Sequence, residues 1–208
     1  MPQDFDARLR AHLDREELFD LVRRERFARD QRRFDVMAEC FHRDAYIRTS
    51  WYDGHGGDAY VEATRKWMSN TGNSKHWVFP AFAQIAGDRA TVESPAMIFN
   101  RARLENTEVD FHVFCRFFSR AVREDGVWKL LSFHVFFERD VMKPVNPSET
   151  LPIDWTRLNA MRPSYKFLAY IQSVRGVKVN PDLLGDDRAD ELAAFHAGED
   201  RWLAGSDG

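Results

Sequence analysis

Apolar residues recur at helical spacing in the first third of the chain. Leu18, Leu21 and Val22 form the apolar stripe of a first helix. Asp14 is followed three residues later by Glu17, and this capping-box spacing predicts that the helix begins near Asp14. The pattern then predicts a short second helix in FDVMAECF, a strand in AYIRTSWY and a third helix in AYVEATRKWM.

Long runs of aliphatic and aromatic residues fill the middle of the chain. They predict strands in HWVFPAFAQIA, RATVESPAMIFNRARL, EVDFHVFCRFFSRAV and VWKLLSFHVFFERD. The short sequences GD, EN and EDG between them are typical of turns. A group of helices followed by such a meander predicts an α+β fold, with helices packed on the concave face of a curved antiparallel sheet.

The composition changes after Lys143. PVNPSETLP is a linker punctuated by prolines, and helical patterns follow in WTRLNAM, SYKFLAYIQSVRG and DRADELAAFHAGEDRWLA. Gly176 is placed to end the second of these helices. We therefore predict an α+β domain over residues 1–143 and a helical extension over residues 144–208. The extension has too few apolar residues for its own core, so we expect it to cover the pocket of the domain or to contact a neighbouring subunit.

Composition narrows the classes of function. The chain has 208 residues, with 30 Lys and Arg against 33 Asp and Glu, so nothing favours nucleic-acid binding. The basic run LVRRERFARDQRR is interleaved with acids and predicts a solvated helix face. No apolar run could span a bilayer, MPQDFDARLR lacks the features of a signal peptide, and two cysteines suit a reducing compartment. We therefore expect a cytoplasmic protein without a membrane partner.

Asp30 and His76 are the leading candidates for chemistry. Asp30 lies near the end of the first predicted helix and shares a sector of it with Phe27 and Arg26. From the residues alone, Asp30 is either a buried functional carboxylate or a surface carboxylate paired with Arg26. His76 opens an apolar strand, where a lone histidine is more often a structural residue.

The order of these residues carries a resemblance to a known family. Asp30 precedes FDVM, His76 follows SK, and DGVWKLLSF closes the meander. Over about residues 14–140 this pattern resembles the SnoaL-like branch of the nuclear-transport-factor-two-like superfamily, which includes scytalone dehydratase and hexachlorocyclohexane dehydrochlorinase. The resemblance implies a cone-shaped fold without a cofactor, in which His76 is a general base and Asp30 bonds its other ring nitrogen. We expect the buried pair to keep the pKa of His76 near neutral.

The chain departs from the dehydratase pattern at several positions. Asn100 falls where scytalone dehydratase has a second histidine, and Arg29 where it has a tyrosine. Polar groups of that enzyme are replaced by Cys115 and Phe117, so we expect a more apolar cavity. The predicted substrate-binding residues are Asn100, Tyr52, Cys115, Phe117, Phe133 and Phe27.

No metal site is predicted. A simple hairpin register places His112 opposite Glu138 and His134 opposite Arg116, so the two histidines of the repeated HVF tripeptide lie apart.

Two functions remain open. The first is a lyase or isomerase that removes a carbon-bound proton from a small hydrophobic aromatic or alicyclic molecule, with loss of water, halide or formaldehyde or with migration of a double bond. The second is a non-catalytic ligand-binding module or structural subunit of the same fold. We also expect a homodimer or homotrimer, because Phe114, Phe118 and Val135 predict an apolar outer sheet face that needs cover.

Overall fold

The computed structural model describes residues 5–71 and 74–206, and for Thr71 the backbone alone. Its helices are α1 Phe5–Asp30, α2 Phe34–Glu39, α3 Gly57–Thr71, α4 Trp155–Asn159, α5 Lys166–Val174 and α6 Ala189–Leu203. Its strands are β1 Phe41–Arg48, β2 Asp53–His55, β3 Lys75–Val78, β4 Phe82–Ala86, β5 Arg89–Leu104, β6 Thr107–Glu124 and β7 Val127–Pro144. In these ranges no helix has both the length and the apolar character needed to cross a bilayer.

The strands form one curved, unclosed sheet in the order β2-β1-β7-β6-β5-β3, with β4 also paired to β5. The predicted α+β fold is confirmed. The prediction of a purely antiparallel sheet is wrong at one place, because β1 runs parallel to β7. Parallel neighbours need a long crossover connection, and residues 49–126 provide it.

Two element boundaries differ from the prediction. The first helix already includes Phe5, and Asp14 lies inside it, 2.8 Å from Arg123 on β6. Asp14 therefore forms an ion pair with the sheet instead of capping the helix. The predicted strand HWVFPAFAQIA is divided into β3 and β4, since Pro80 has no N–H to donate to a ladder.

Register shifts bend the long hairpin of β6 and β7. They occur between Phe114 and Cys115 and between Phe118 and Ala121. Such bulges add residues to one strand and increase its twist, which curves the sheet around its core. They also change the expected pairing: His134 lies opposite Phe118 and His112 opposite Val141, so the predicted facing residues were wrong.

The last helix covers the outer face of this hairpin. Phe118 and Phe136 are buried there beneath Leu192 and Phe195 of α6. Val135, in contrast, lies on the opposite face and lines an internal cavity. Phe118 and Val135 are therefore not part of a bare outer face, while Phe114 is half-buried with Arg139 over its ring. The homodimer or homotrimer stays a prediction.

The rest of the extension contributes to the main core. Leu158, Tyr165, Leu168 and Ile171 are buried in one cluster with residues of α1 and the sheet. Gly176, with a φ of 76°, follows α5, as predicted for the residue that ends this helix. Helix α5 is thus held against the inner face of the sheet, next to the cavity described below.

Candidate active site

Asp30 and His76 meet where the end of α1 passes the edge strand β3. Asp30 Oδ2 accepts the backbone N–H of His76 at 2.6 Å, and Oδ1 lies 2.8 Å from His76 Nδ1. Only 7% of the Asp30 side chain and 5% of the His76 side chain are exposed. The expected hydrogen bond between the two side chains is present, and the alternative pairing of Asp30 with Arg26 is not, since Arg26 bonds Glu25.

Two cations support Asp30. Arg29 Nη1 donates to Asp30 Oδ1 at 3.0 Å, and Lys75 Nζ donates to the main-chain carbonyl of Asp30. A carboxylate at the C-terminus of a helix lies at the negative end of the helix dipole. Arg29, Lys75 and the N–H groups of His76 therefore compensate a charge that the helix alone would disfavour.

The protonation states follow from burial and from these neighbours. Burial would raise the pKa of Asp30, but the hydrogen bond from His76 and the charge of Arg29 outweigh it, and the pKa is lowered. Burial and the charge of Arg29 lower the pKa of His76 to about 3, although Asp30 acts to raise it. The expectation of a near-neutral pKa is wrong, because burial lowers the pKa of His76 more than expected and the charge of Arg29 lowers it further. His76 is neutral at pH 7; ionised Asp30 accepts its Nδ1–H, which leaves the Nε2 lone pair free.

His76 lines a cavity of about 80 Å³ between the sheet, α1 and α5. Its aromatic wall includes Trp51, Trp67, Phe111, Phe117, Phe133 and Phe137. Its polar wall includes Arg26, Arg29, Ser50, Asn100, Gln172 and Arg175. The cavity is smaller than the about 300–1,000 Å³ of pockets for drug-sized ligands, so it suits a small ligand or one that displaces lining side chains. The expectation of a cavity more apolar than that of scytalone dehydratase stays a prediction.

Three of the six predicted substrate-binding residues lie at this cavity, namely Asn100, Phe117 and Phe133. The other three do not. Tyr52 packs against Trp51 and Tyr60 instead.

Cys115 and Phe27 do not line the cavity, for different reasons. Cys115 is fully buried in the sheet, where its thiol contacts the Ala96 carbonyl oxygen. Phe27 is 59% exposed, because α1 turns the neighbouring Arg26 inward and Phe27 away.

The two inward arginines of α1 were missed. Both belong to the basic run that we predicted to be solvated, yet Arg26 is 4% and Arg29 2% exposed. Arg26 donates two hydrogen bonds to Glu25 Oε2 and lies 4.6 Å from the ring centroid of Phe133. For Arg26 the sequence did contain an indication of burial, because Arg26 precedes Asp30 by four residues and lies on the same side of the helix.

A metal site finds no support in the part of the chain that the structure describes. No group of three or more His, Cys, Asp or Glu side chains lies close enough there to hold an ion. His112 packs against Phe99, and His134 against Tyr46 and Phe195.

Comparison with known proteins places the chain in a family. Residues 10–134 match the SnoaL-like domain, so the chain belongs to the SnoaL-like family. Pea pathogenicity protein 2 of Fusarium vanettenii is 29% identical, over 77% of this chain and 70% of that protein. An uncharacterized protein of Emericella nidulans is 30% identical, over 85% of this chain and 77% of its own length.

A solved structure supports the fold. Hexachlorocyclohexane dehydrochlorinase LinA-type3 from Novosphingobium barchaimii LL02 superposes with a TM-score of 0.56 at 16% identity, covering 70% of this chain and 99% of that one. At this identity the likeness extends to the fold alone. Solved structures of this fold include hexachlorocyclohexane dehydrochlorinases, but a shared fold does not assign an activity to this chain.

Proposed function

We propose that the protein is a cofactor-independent lyase or isomerase in which His76 removes a carbon-bound proton from a small aromatic or alicyclic substrate. The observation that carries this proposal is the buried contact between Asp30 and His76 at the wall of a cavity. Asp30 holds the ring in the tautomer that leaves Nε2 free, and its charge stabilises the imidazolium that forms.

The bonds change as follows. The substrate C–H bond breaks, its proton moves to His76 Nε2, and its electron pair forms a carbon–carbon double bond. In an elimination, a halide departs with the electron pair of its bond to carbon, whereas a hydroxyl group departs with that pair and takes the proton from His76 Nε2 to leave as water. Loss of formaldehyde would follow a different path: His76 Nε2 takes the proton of a hydroxymethyl O–H, the O–H pair forms the C=O bond of formaldehyde, and a neighbouring carbonyl group accepts the pair of the broken C–C bond. In an isomerisation the pair first shifts onto a neighbouring carbonyl oxygen, and His76 Nε2 then returns the proton to another carbon of the enolate as the carbonyl re-forms. Arg29 and Asn100 line the same cavity and bring N–H donors to stabilise negative charge there.

Deuterium exchange tests proton abstraction directly and does not require the physiological substrate. The full chain is incubated in D₂O with a panel of small aromatic and alicyclic β-hydroxy and β-chloro carbonyl compounds and acids. NMR and mass spectrometry follow deuterium incorporation and leaving-group release. We expect turnover of at least one member, and His76→Ala should lower its rate by about 100- to 10,000-fold.

The matched control is His112→Ala, which removes a half-buried histidine from β6 outside the cavity and should leave the rate unchanged. Equal rates in His76→Ala and the wild type would end the general-base proposal. Binding of panel members with no exchange or release would favour the alternative, a non-catalytic ligand-binding module.

A further inference from the structure

The charges around the cavity are of one sign. Among the described residues that line it, the ionisable side chains other than Tyr60 are those of His76 and of arginines, and no carboxylate is present. Asp30 lies behind His76, and Glu25 bonds Arg26 without reaching the cavity. A ligand in this cavity therefore contacts guanidinium groups directly. The nearby carboxylates lie outside the cavity, where they bond His76 and Arg26.

Two buried donors at the cavity lack an acceptor among the residues that the structure describes. They are Nε of Arg29 and Nδ2 of Asn100. Ser74 Oγ donates to Asn100 Oδ1 at 2.7 Å. This bond fixes the orientation of the amide, so that its NH₂ group is the end without a hydrogen-bond partner. Because a buried N–H without an acceptor is unfavourable, both groups point to an acceptor supplied by a ligand.

The cavity rim adds a further cation. Arg175, which follows α5, is exposed, lines the cavity and has no ion-pair partner among residues 5–71 and 74–206. Arg101 also lines the cavity, but Asp110 occupies its guanidinium through two hydrogen bonds of 2.8 and 3.0 Å. Arg175 is thus the rim cation that remains available to attract an incoming anion.

We propose that the substrate of this cavity is an organic carboxylate, whose oxygens are bound by Arg29 and Asn100 beside His76. That this ligand reacts is an inference that rests on the proposed function. That it carries a negative charge is inferred separately, from the unpaired donors of Arg29 and Asn100. A planar carboxylate accepts two parallel N–H bonds, which suits a guanidinium edge joined by an amide NH₂. The small volume of the cavity and its aromatic wall favour an acid that carries a single ring.

A bound carboxylate would also change the base. His76 is faced by Asp30, Arg29 and Arg26; burial lowers the pKa of His76 most, and the charges of the two arginines lower it further. A negative charge placed against Arg29 offsets that effect and favours the protonated imidazolium, so the pKa of His76 rises when the anion binds. The substrate's own charge then makes His76 a stronger base at the moment when a proton is to be removed.

Binding experiments test the proposal without turnover. The probes are benzoate, phenylacetate and 3-phenylpropanoate with their neutral amides, titrated into the full chain at pH 7.5 by calorimetry or NMR. We expect the best acid to bind at least about 10-fold more tightly than its amide. Asn100→Asp keeps the shape of the side chain and the hydrogen bond from Ser74. It replaces the NH₂ donor by a carboxylate oxygen, whose negative charge repels a bound anion.

The variants sharpen the result. Asn100→Asp and Arg29→Gln should each weaken binding of the acid about 10- to 100-fold and leave the amide nearly unaffected. Arg103→Gln removes the same charge from an exposed position on β5 and should change neither affinity. Asn100→Asp keeps the test decisive if Arg29→Gln does not fold. Equal affinity for acids and amides, or an acid preference that survives in Asn100→Asp, would overturn the carboxylate proposal.

NMR titration of the His76 ring gives a second readout. The acid should raise its pKa and the amide should not, and an unchanged pKa with the acid bound would contradict the proposed position of the anion. The two proposals fail separately. Acid binding without deuterium exchange would refute the lyase or isomerase function alone, whereas His76-dependent turnover with no preference for acids would refute the carboxylate alone.

Discussion

Replacing Asp140 by Asn should remove a pH-dependent loss of stability. Asp140 lies on β7 and accepts the backbone N–H of Leu168 at 2.8 Å, at the start of α5. Burial raises its pKa to about 6, against an ordinary value of 3.8, even though this hydrogen bond lowers it. The native state therefore holds the proton more tightly than the unfolded chain, and the free energy of unfolding falls as the pH rises from about 3.8 through about 6.

The size of the effect follows from the two pKa values. Their difference corresponds to about 3 kcal/mol, of which about 2 kcal/mol is lost between about pH 4.5 and 7.5. Asp140→Asn does not titrate, so its stability relative to the wild type should increase by about 2 kcal/mol over that range. The buried Oδ1 of Asp140 has no partner among the described residues, so an amide NH₂ there carries a constant cost, which cancels in the comparison of two pH values.

Urea unfolding at a series of pH values measures this quantity. Midpoints and slopes give the free energy of unfolding of both proteins at each pH. Asp110→Asn is the matched control with the opposite sign, because the hydrogen bonds from Arg101 lower the pKa of Asp110. That variant should lose stability relative to the wild type as the pH rises through the acidic range. A difference between Asp140→Asn and the wild type that stays constant with pH would refute the reasoning.

Two further predictions concern the site and the extension. Asp30→Asn offers one acceptor where Asp30 accepts both the ring and the backbone N–H of His76, so the other tautomer becomes accessible and exchange should slow by about 100-fold or more. Wild-type exchange, with an unaltered tautomer by NMR, would contradict this. A protein ending at Lys143 loses Leu168 and Ile171 from the cavity wall, and it should self-associate or melt at a lower temperature. A monodisperse truncated protein with full activity in sizing and exchange experiments would show that the extension is dispensable.

Much of the fold could be predicted because its elements are long and regular. The strand predicted in RATVESPAMIFNRARL has the bounds of β5, and the alternation along β6 places Phe111 and Phe117 at the cavity. The parallel pairing of β1 with β7 could not be predicted, since periodicity states which face of a strand is buried but not which strand lies beside it.

The candidate site was predicted only in part, for a similar reason. Asp30 and His76 were found through the order of motifs, but the burial of Arg26 and Arg29 was not. An arginine is rarely buried unless other groups compensate its charge. For Arg26 these groups include the rings of Phe117 and Phe133, which are distant in the sequence and come close only in the fold.

The division of the cavity among α1, β3, β5–β7 and α5 has a consequence for biosynthesis. Asp30 and His76 leave the ribosome early, but β1 cannot pair with β7, and the aromatic wall cannot close, until the chain beyond residue 134 has emerged. Helices α5 and α6 follow later still. Until then the nascent chain exposes strand edges and the rings of β6, the surfaces through which incomplete chains aggregate. Synthesis of this protein should therefore depend on chaperones that bind apolar segments. The dependence should last until the final third of the chain, with β7, α5 and α6, has been synthesised.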